Sequence, residues 1–124
     1  MKHAKDYLDE ANRDVTRVPA ADAVTRHGEA GVQFVDVRDS SAIAETGTIA
    51  GALRIPRGMM EFVADDDSPM RHATLDRDAD LFLVCGAGGQ AALAGKTLKE
   101  MGYASVTNIG GVGDWKDAGG PMES

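Results

Sequence analysis

One stretch constrains this chain more than any other. Leu81-Phe82-Leu83-Val84 runs into Cys85, then into Gly86-Ala87-Gly88-Gly89, and then into a segment from Gln90 to Met101 with helical periodicity. The apolar run reads as a buried strand. In the segment that follows, Ala91, Ala94, Leu98 and Met101 recur at steps of three and four, which places them on one helix face. Gly102 stands where a helix of that length would end. A buried strand that turns through glycines straight into a helix belongs to an α/β architecture, in which helices cover a parallel sheet.

The rest of the chain repeats the alternation. Residues 1–14 carry scattered apolar positions (Ala4, Tyr7, Leu8, Ala11) and read as an N-terminal helix or a frayed arm. Val15–Val18 reads as a short strand, and Pro19 opens a helix over Ala20–Arg26. Val32–Val37 is a second buried strand, dense in β-branched and aromatic residues. Ser40–Glu45 reads as a helix, Ala52–Ile55 as a strand stopped by Pro56, and Gly58–Ala64 as a turn or two of helix. Val106–Ile109 is a further strand, followed by a short helix around Val112–Ala118 and a loose tail. The expectation is an α/β domain spanning residues 1–124, with a small parallel sheet of about four or five strands flanked by helices on both faces. A length of 124 residues is that of one domain.

Charge and cysteine content remove several classes of function. Thirteen Lys and Arg against twenty Asp and Glu give a net charge of −7. The basic residues form no stripe, so neither nucleic acid nor an anionic membrane surface is an expected partner. The lone cysteine permits no internal disulfide and no cysteine-rich zinc site. His3, His27 and His72 lie apart and without metal-ligand spacing, so each reads as a surface histidine, and neither a metal nor a cofactor is called for. The longest apolar run, Leu81–Cys85, is too short to cross a bilayer, and the first ten residues lack a leader's apolar stretch. A cytoplasmic protein is expected.

Glycine is the exception to an otherwise ordinary composition, with 15 in 124 residues. Eight fall in three groups, at 86–89, 110–113 and 119–120. In open α/β sheets, ligands bind at the carboxyl ends of the strands, and Cys85 stands at such an end. A helix N-terminus presents unpaired N–H groups and the positive end of its dipole. Small loop residues let those groups curl round one point as an anion nest. A thiol held there is favoured as its nucleophilic thiolate. The plainer reading is a buried structural cysteine, but the strand, glycine loop and helix around Cys85 favour a nucleophile in an anion cradle.

This arrangement resembles the rhodanese family of sulfurtransferases over residues 15–120. Val35-Asp36-Val37-Arg38-Asp39 is similar to the family's Asp-Val-Arg motif. Gly47-Thr48-Ile49-Ala50-Gly51-Ala52-Leu53-Arg54-Ile55-Pro56 is similar to its Gly-His-Ile-Pro-Gly-Ala…Ile-Pro motif, with Thr48 and Ala50 replacing His and Pro. Cys85 to Ala94 resembles the six-residue active loop and the start of its helix. Gly102-Tyr103 and Gly110-Gly111-Val112-Gly113-Asp114-Trp115 resemble the closing segments. The resemblance implies a persulfide formed on Cys85 from a donor such as thiosulfate. The sulfur then passes to cyanide or a thiol, small or on a partner protein. The backbone of Gly86, Ala87, Gly88, Gly89, Gln90 and Ala91 would bind the anionic sulfur. With no second cysteine, the acceptor must be external.

The loop departs from the family pattern at its end. Many active members carry arginine and then serine where this chain has Gln90 and Ala91. Glutamine offers a neutral amide in place of a charged fork, so thiosulfate should bind less well. Arg38 and Arg57 are candidate replacements for the missing charge, although the plainer reading of each is a surface or salt-bridged arginine. Asp36 reads as capping or pairing at its strand end. The departure leaves a second expectation open, a non-catalytic rhodanese-fold sulfur carrier, redox sensor or binding module. A tyrosine-phosphatase loop, Cys-x5-Arg, would need arginine at Ala91. Gly95-Lys96-Thr97 falls inside a helix and is no P-loop. Gly86-x-Gly88-x-x-Ala91 fits only a relaxed dinucleotide fingerprint, and no acidic residue follows Ile109.

Overall fold

The structure is a computed structural model that describes residues 1–124. Five strands form its main sheet: β1 (Thr16–Arg17), β2 (Val32–Asp36), β4 (Leu53–Arg54), β5 (Asp80–Cys85) and β6 (Val106–Gly111). They lie in the order β1-β6-β5-β2-β4, and every adjacent pair is parallel. β5, the strand that ends at Cys85, is thus central and flanked by β6 and β2.

The pleat of β5 separates two cores. Leu81, Leu83 and Cys85 face one side, with Ala91, Ala94 and Leu98 of α5 (Gly89–Glu100) and Met60 of α4 (Met60–Val63). Phe82 and Val84 face the other side, with Ala20 and Ala23 of α2 (Ala20–Val24) and Val112 and Trp115 of α6 (Val112–Asp117). This two-faced burial explains why β5 reads as a continuous apolar run rather than an alternating one. α3 (Ser40–Thr46) connects β2 to the next segment. α1 (Ala4–Asp14) is a full helix and not a frayed arm. It buries Ala11, and Leu8 approaches Gly89 at the start of α5.

Two expectations are corrected. The tail is not loose: β7 (Met122–Glu123) pairs antiparallel with β3 (Thr48–Ile49). The Pro121 carbonyl accepts hydrogen bonds from the Ala50 amide at 3.0 Å and the Trp115 indole at 2.9 Å. Gly120 lies over the Trp115 ring so closely that a Cβ there would come within 2.3 Å of it. His27 is not a plain surface histidine. It is half-buried beside Phe34 and Trp115, and its Nε2 lies 2.7 Å from the Ala50 carbonyl oxygen. A two-residue strand and a histidine against aromatics carry too little local pattern to be read from sequence.

Candidate active site

Cys85 closes β5 and is 2% exposed. Its Sγ accepts hydrogen bonds from two backbone amides, Gly88 at 3.0 Å and Ala91 at 3.4 Å. Gly88 reaches it because its φ of 105° is left-handed, a conformation that costs glycine nothing. That turn ends the loop, and α5 begins at Gly89. The amides of Ala87, Gly89 and Gln90 find no acceptor within the chain. One N–H of the loop and one of the first helical turn thus converge on one sulfur, with further unpaired amides beside them in sequence, an arrangement suited to a negative charge.

The loop is held from outside through its carbonyl groups. Asn108 of β6 is fully buried. Its Nδ2 donates to the Gly88 carbonyl at 2.9 Å, and its Oδ1 accepts the Gly110 amide at 2.8 Å. Gly110 sits at a bulge in β6, because Leu83 pairs with Asn108 while Cys85 pairs with Gly111. The bulge brings Gly111 against the loop, where a Cβ would stand 2.3 Å from the Gly86 carbonyl oxygen. On the outer side, Arg17 of β1 donates from Nη2 to the Ala87 carbonyl at 3.0 Å.

The expected site residues divide into two groups. Cys85 and residues 86–91 come together as one loop and helix start. Gln90 points outward, exposed, and its side chain makes no hydrogen bond within the chain. The side chains of Asp36, Arg38 and Arg57 bond elsewhere. Arg38 pairs with Asp36 at 2.8 Å and donates to Thr46 Oγ1 and the Gly47 carbonyl, each at 2.9 Å. Thr48 donates to Asp36 at 2.7 Å, so this buried network fastens the end of β2 to the turn before β3. Arg57 donates to Glu61 at 3.0 Å and to Thr97, well along α5, at 3.2 Å. His72 Nδ1 accepts the Thr74 amide at 3.3 Å and is not bonded to Cys85.

Arg17, Asn108 and the close approach of Gly111 were not singled out by sequence. Asn108 left a signal, since a polar residue inside the Val106–Ile109 strand must find partners if buried. Arg17 left none, because its place depends on β1 lying beside β6.

The fold and the loop now stand beside known proteins. The family model of the rhodanese-like domain matches residues 20–118, and the chain belongs to that family. A protein of Bacillus subtilis (strain 168) named "Putative sulfurtransferase YtwF" is 31% identical over 83 residues, covering 67% of this chain and 72% of that protein. Among solved structures, the chain is similar to RPA3614 from Rhodopseudomonas palustris CGA009, a protein of unknown function described as a possible tyrosine phosphatase. The TM-score is 0.93 at 39% identity, over 99% of this chain and 96% of that one. It is also similar to the 30 kDa polysulfide-sulfur transferase homodimer from Wolinella succinogenes, with a TM-score of 0.72 and 25% identity, over 96% of this chain and 85% of that one. No helix is long and apolar enough to cross a membrane.

Proposed function

We propose that this protein is a sulfurtransferase in which Cys85 carries sulfur as a persulfide between a small donor and an external acceptor. The observation that carries the reading is the Cys85 sulfur accepting the Gly88 and Ala91 amides inside a loop whose other amides are open. With thiosulfate, the Cys85 thiolate attacks the outer sulfur. The Cys85 Sγ–S bond forms as the S–S bond of thiosulfate breaks, and sulfite leaves with the electron pair. A thiolate or cyanide then attacks the terminal sulfur of the persulfide, forming a new persulfide or thiocyanate and releasing the Cys85 thiolate. The loop amides stabilise the anionic sulfur in both steps. Since the chain has one cysteine, the acceptor is a small thiol, cyanide or a thiol on a partner protein.

The test is intact mass after incubation with thiosulfate, polysulfide or another sulfane donor. Wild type should gain one sulfur, released by cyanide, and Cys85→Ser should gain none. No gain on wild type, or equal gain on both, overturns the proposal. Gln90 supports a second reading, a carrier that loads and unloads without appreciable cyanide turnover. It predicts the same sulfur gain with a negligible steady-state rate. Phosphatase chemistry is disfavoured because a methyl group, Ala91, stands where such a loop needs a guanidinium to clamp the phosphate oxygens.

A further inference from the structure

The cation that reaches the Cys85 loop comes from outside the strand and helix that carry it. Arg17 ends β1, beside Asn108 of β6. Its guanidinium lies between two glycines. A Cβ on Gly88 would stand 2.5 Å from Nη1 and 2.8 Å from Cζ, and a Cβ on Gly110 would stand 3.1 Å from Nη2. Asp114 also has an oxygen 3.6 Å from that same Gly110 position, yet Arg17 forms none of the chain's ion pairs. Its hydrogen bond within the chain goes to the Ala87 carbonyl. Residue 17 also lies outside the 20–118 segment matched by the family model.

The Ala87 carbonyl and the Gly88 N–H are the two ends of one peptide unit. Arg17 binds the first, and Cys85 Sγ accepts from the second. A hydrogen bond from a cation to the carbonyl draws electron density toward oxygen and leaves the N–H a stronger donor. The next peptide is held in the same sense by a neutral group, Asn108 to the Gly88 carbonyl. We infer that Arg17 is a positioning residue for the Cys85 sulfur, orienting and polarising the Ala87–Gly88 peptide so that its N–H stabilises negative charge on Sγ. The inference rests on the reading of Cys85 as the sulfur carrier. In that reaction Sγ is the nucleophile of the first step and the leaving group of the second, so one contact assists both.

The experiment compares wild type, Arg17→Gln and Arg17→Lys. It reads the Gly88 amide proton by NMR of 15N-labelled protein, and the rates of persulfide formation from thiosulfate and of Cys85 alkylation by iodoacetamide. Arg17→Gln should move the Gly88 amide upfield with little change elsewhere. It should slow both reactions about two- to fourfold, since one hydrogen bond strengthens the next in its chain by about 10–30%. Arg17→Lys should restore most of each effect. An unmoved Gly88 amide with unchanged rates overturns the inference. So does equal impairment of both variants with resonances displaced throughout the chain, which is the mark of lost packing alone. If wild type takes up no sulfur, the sulfur-transfer reading fails, while the Gly88 amide and the alkylation rate still decide the role of Arg17.

Discussion

The side chain of Asn108 donates to the carbonyl oxygen of Gly88, the residue whose own amide donates to the Cys85 sulfur. One buried amide thereby fixes the peptide that ends the loop, and through its other end it also fixes Gly110 in the neighbouring bulge. Replacing Asn108 by Leu leaves the Gly110 amide unpaired. The cost should be about 1–3 kcal/mol, read by urea unfolding, with slower sulfur uptake by the folded fraction.

The Asp36–Arg38 pair should behave differently. Both side chains are buried, at 0% and 7% exposure. Arg38→Ala removes the counter-charge from Asp36 and should cost about 3–5 kcal/mol. Because neither side chain bonds to the loop, sulfur uptake per folded molecule should stay near that of wild type. A selective loss of uptake would assign the pair a role in the chemistry.

Gly111 tests the close approach of β6 to the loop. In Gly111→Ala the new methyl would meet the Gly86 carbonyl, a backbone atom that cannot swing aside. A loss of about 1–3 kcal/mol and slower sulfur loading are expected. Gly113→Ala is the control. Nothing lies within 4 Å of that Cβ position, which falls inside α6, so a gain of about 0.5 kcal/mol is expected.

Gln90→Arg should raise kcat/KM for thiosulfate. A charge-assisted hydrogen bond exceeds a neutral one by about 1 kcal/mol or more, which corresponds to roughly tenfold in rate. Steady-state thiocyanate formation measures it. An unchanged rate would mean that the donor's oxygens do not lie near position 90.

Tyr103 makes stability depend on pH at the alkaline end. Burial pushes its phenol above the ordinary value of 10.0, and the hydroxyl donates to the Ala64 carbonyl at 2.9 Å. A raised folded value means that the stabilisation is complete below pH 10 and is lost as pH rises through that value. Urea unfolding should show wild type losing stability above about pH 10 more steeply than Tyr103→Phe. At neutral pH that variant should be about 1 kcal/mol less stable, for the lost hydrogen bond.

The parts legible in sequence were those written locally. The apolar run of β5, the glycines after Cys85 and the spacing from Ala91 to Leu98 all lie within one contiguous stretch. Their physical meaning does not depend on distant residues. The five-stranded parallel sheet followed from the alternation of such stretches. What escaped depends on strand order. Arg17 meets Ala87 only because β1 lies beside β6. Arg38 and Arg57 offered the right charge, but Asp36 and Glu61 lay nearer than the loop did. The β3–β7 pairing joins residues more than seventy positions apart, and two-residue strands have no periodicity to show.

The Cys85 sulfur is held by main-chain amides, which every residue except proline possesses. This shifts the mutational constraint away from the place where intuition puts it. In a saturation scan scored for sulfur loading, Ala87 should accept many substitutions, because its side chain contributes nothing to the cradle. The intolerant positions should be those that shape the peptide path: Gly88 within the loop for its handedness and, from outside it, Gly111 for its bareness and Asn108 for its grip. Under the proposed function, drift within the loop would then alter which donors are accepted long before sulfur loading was lost.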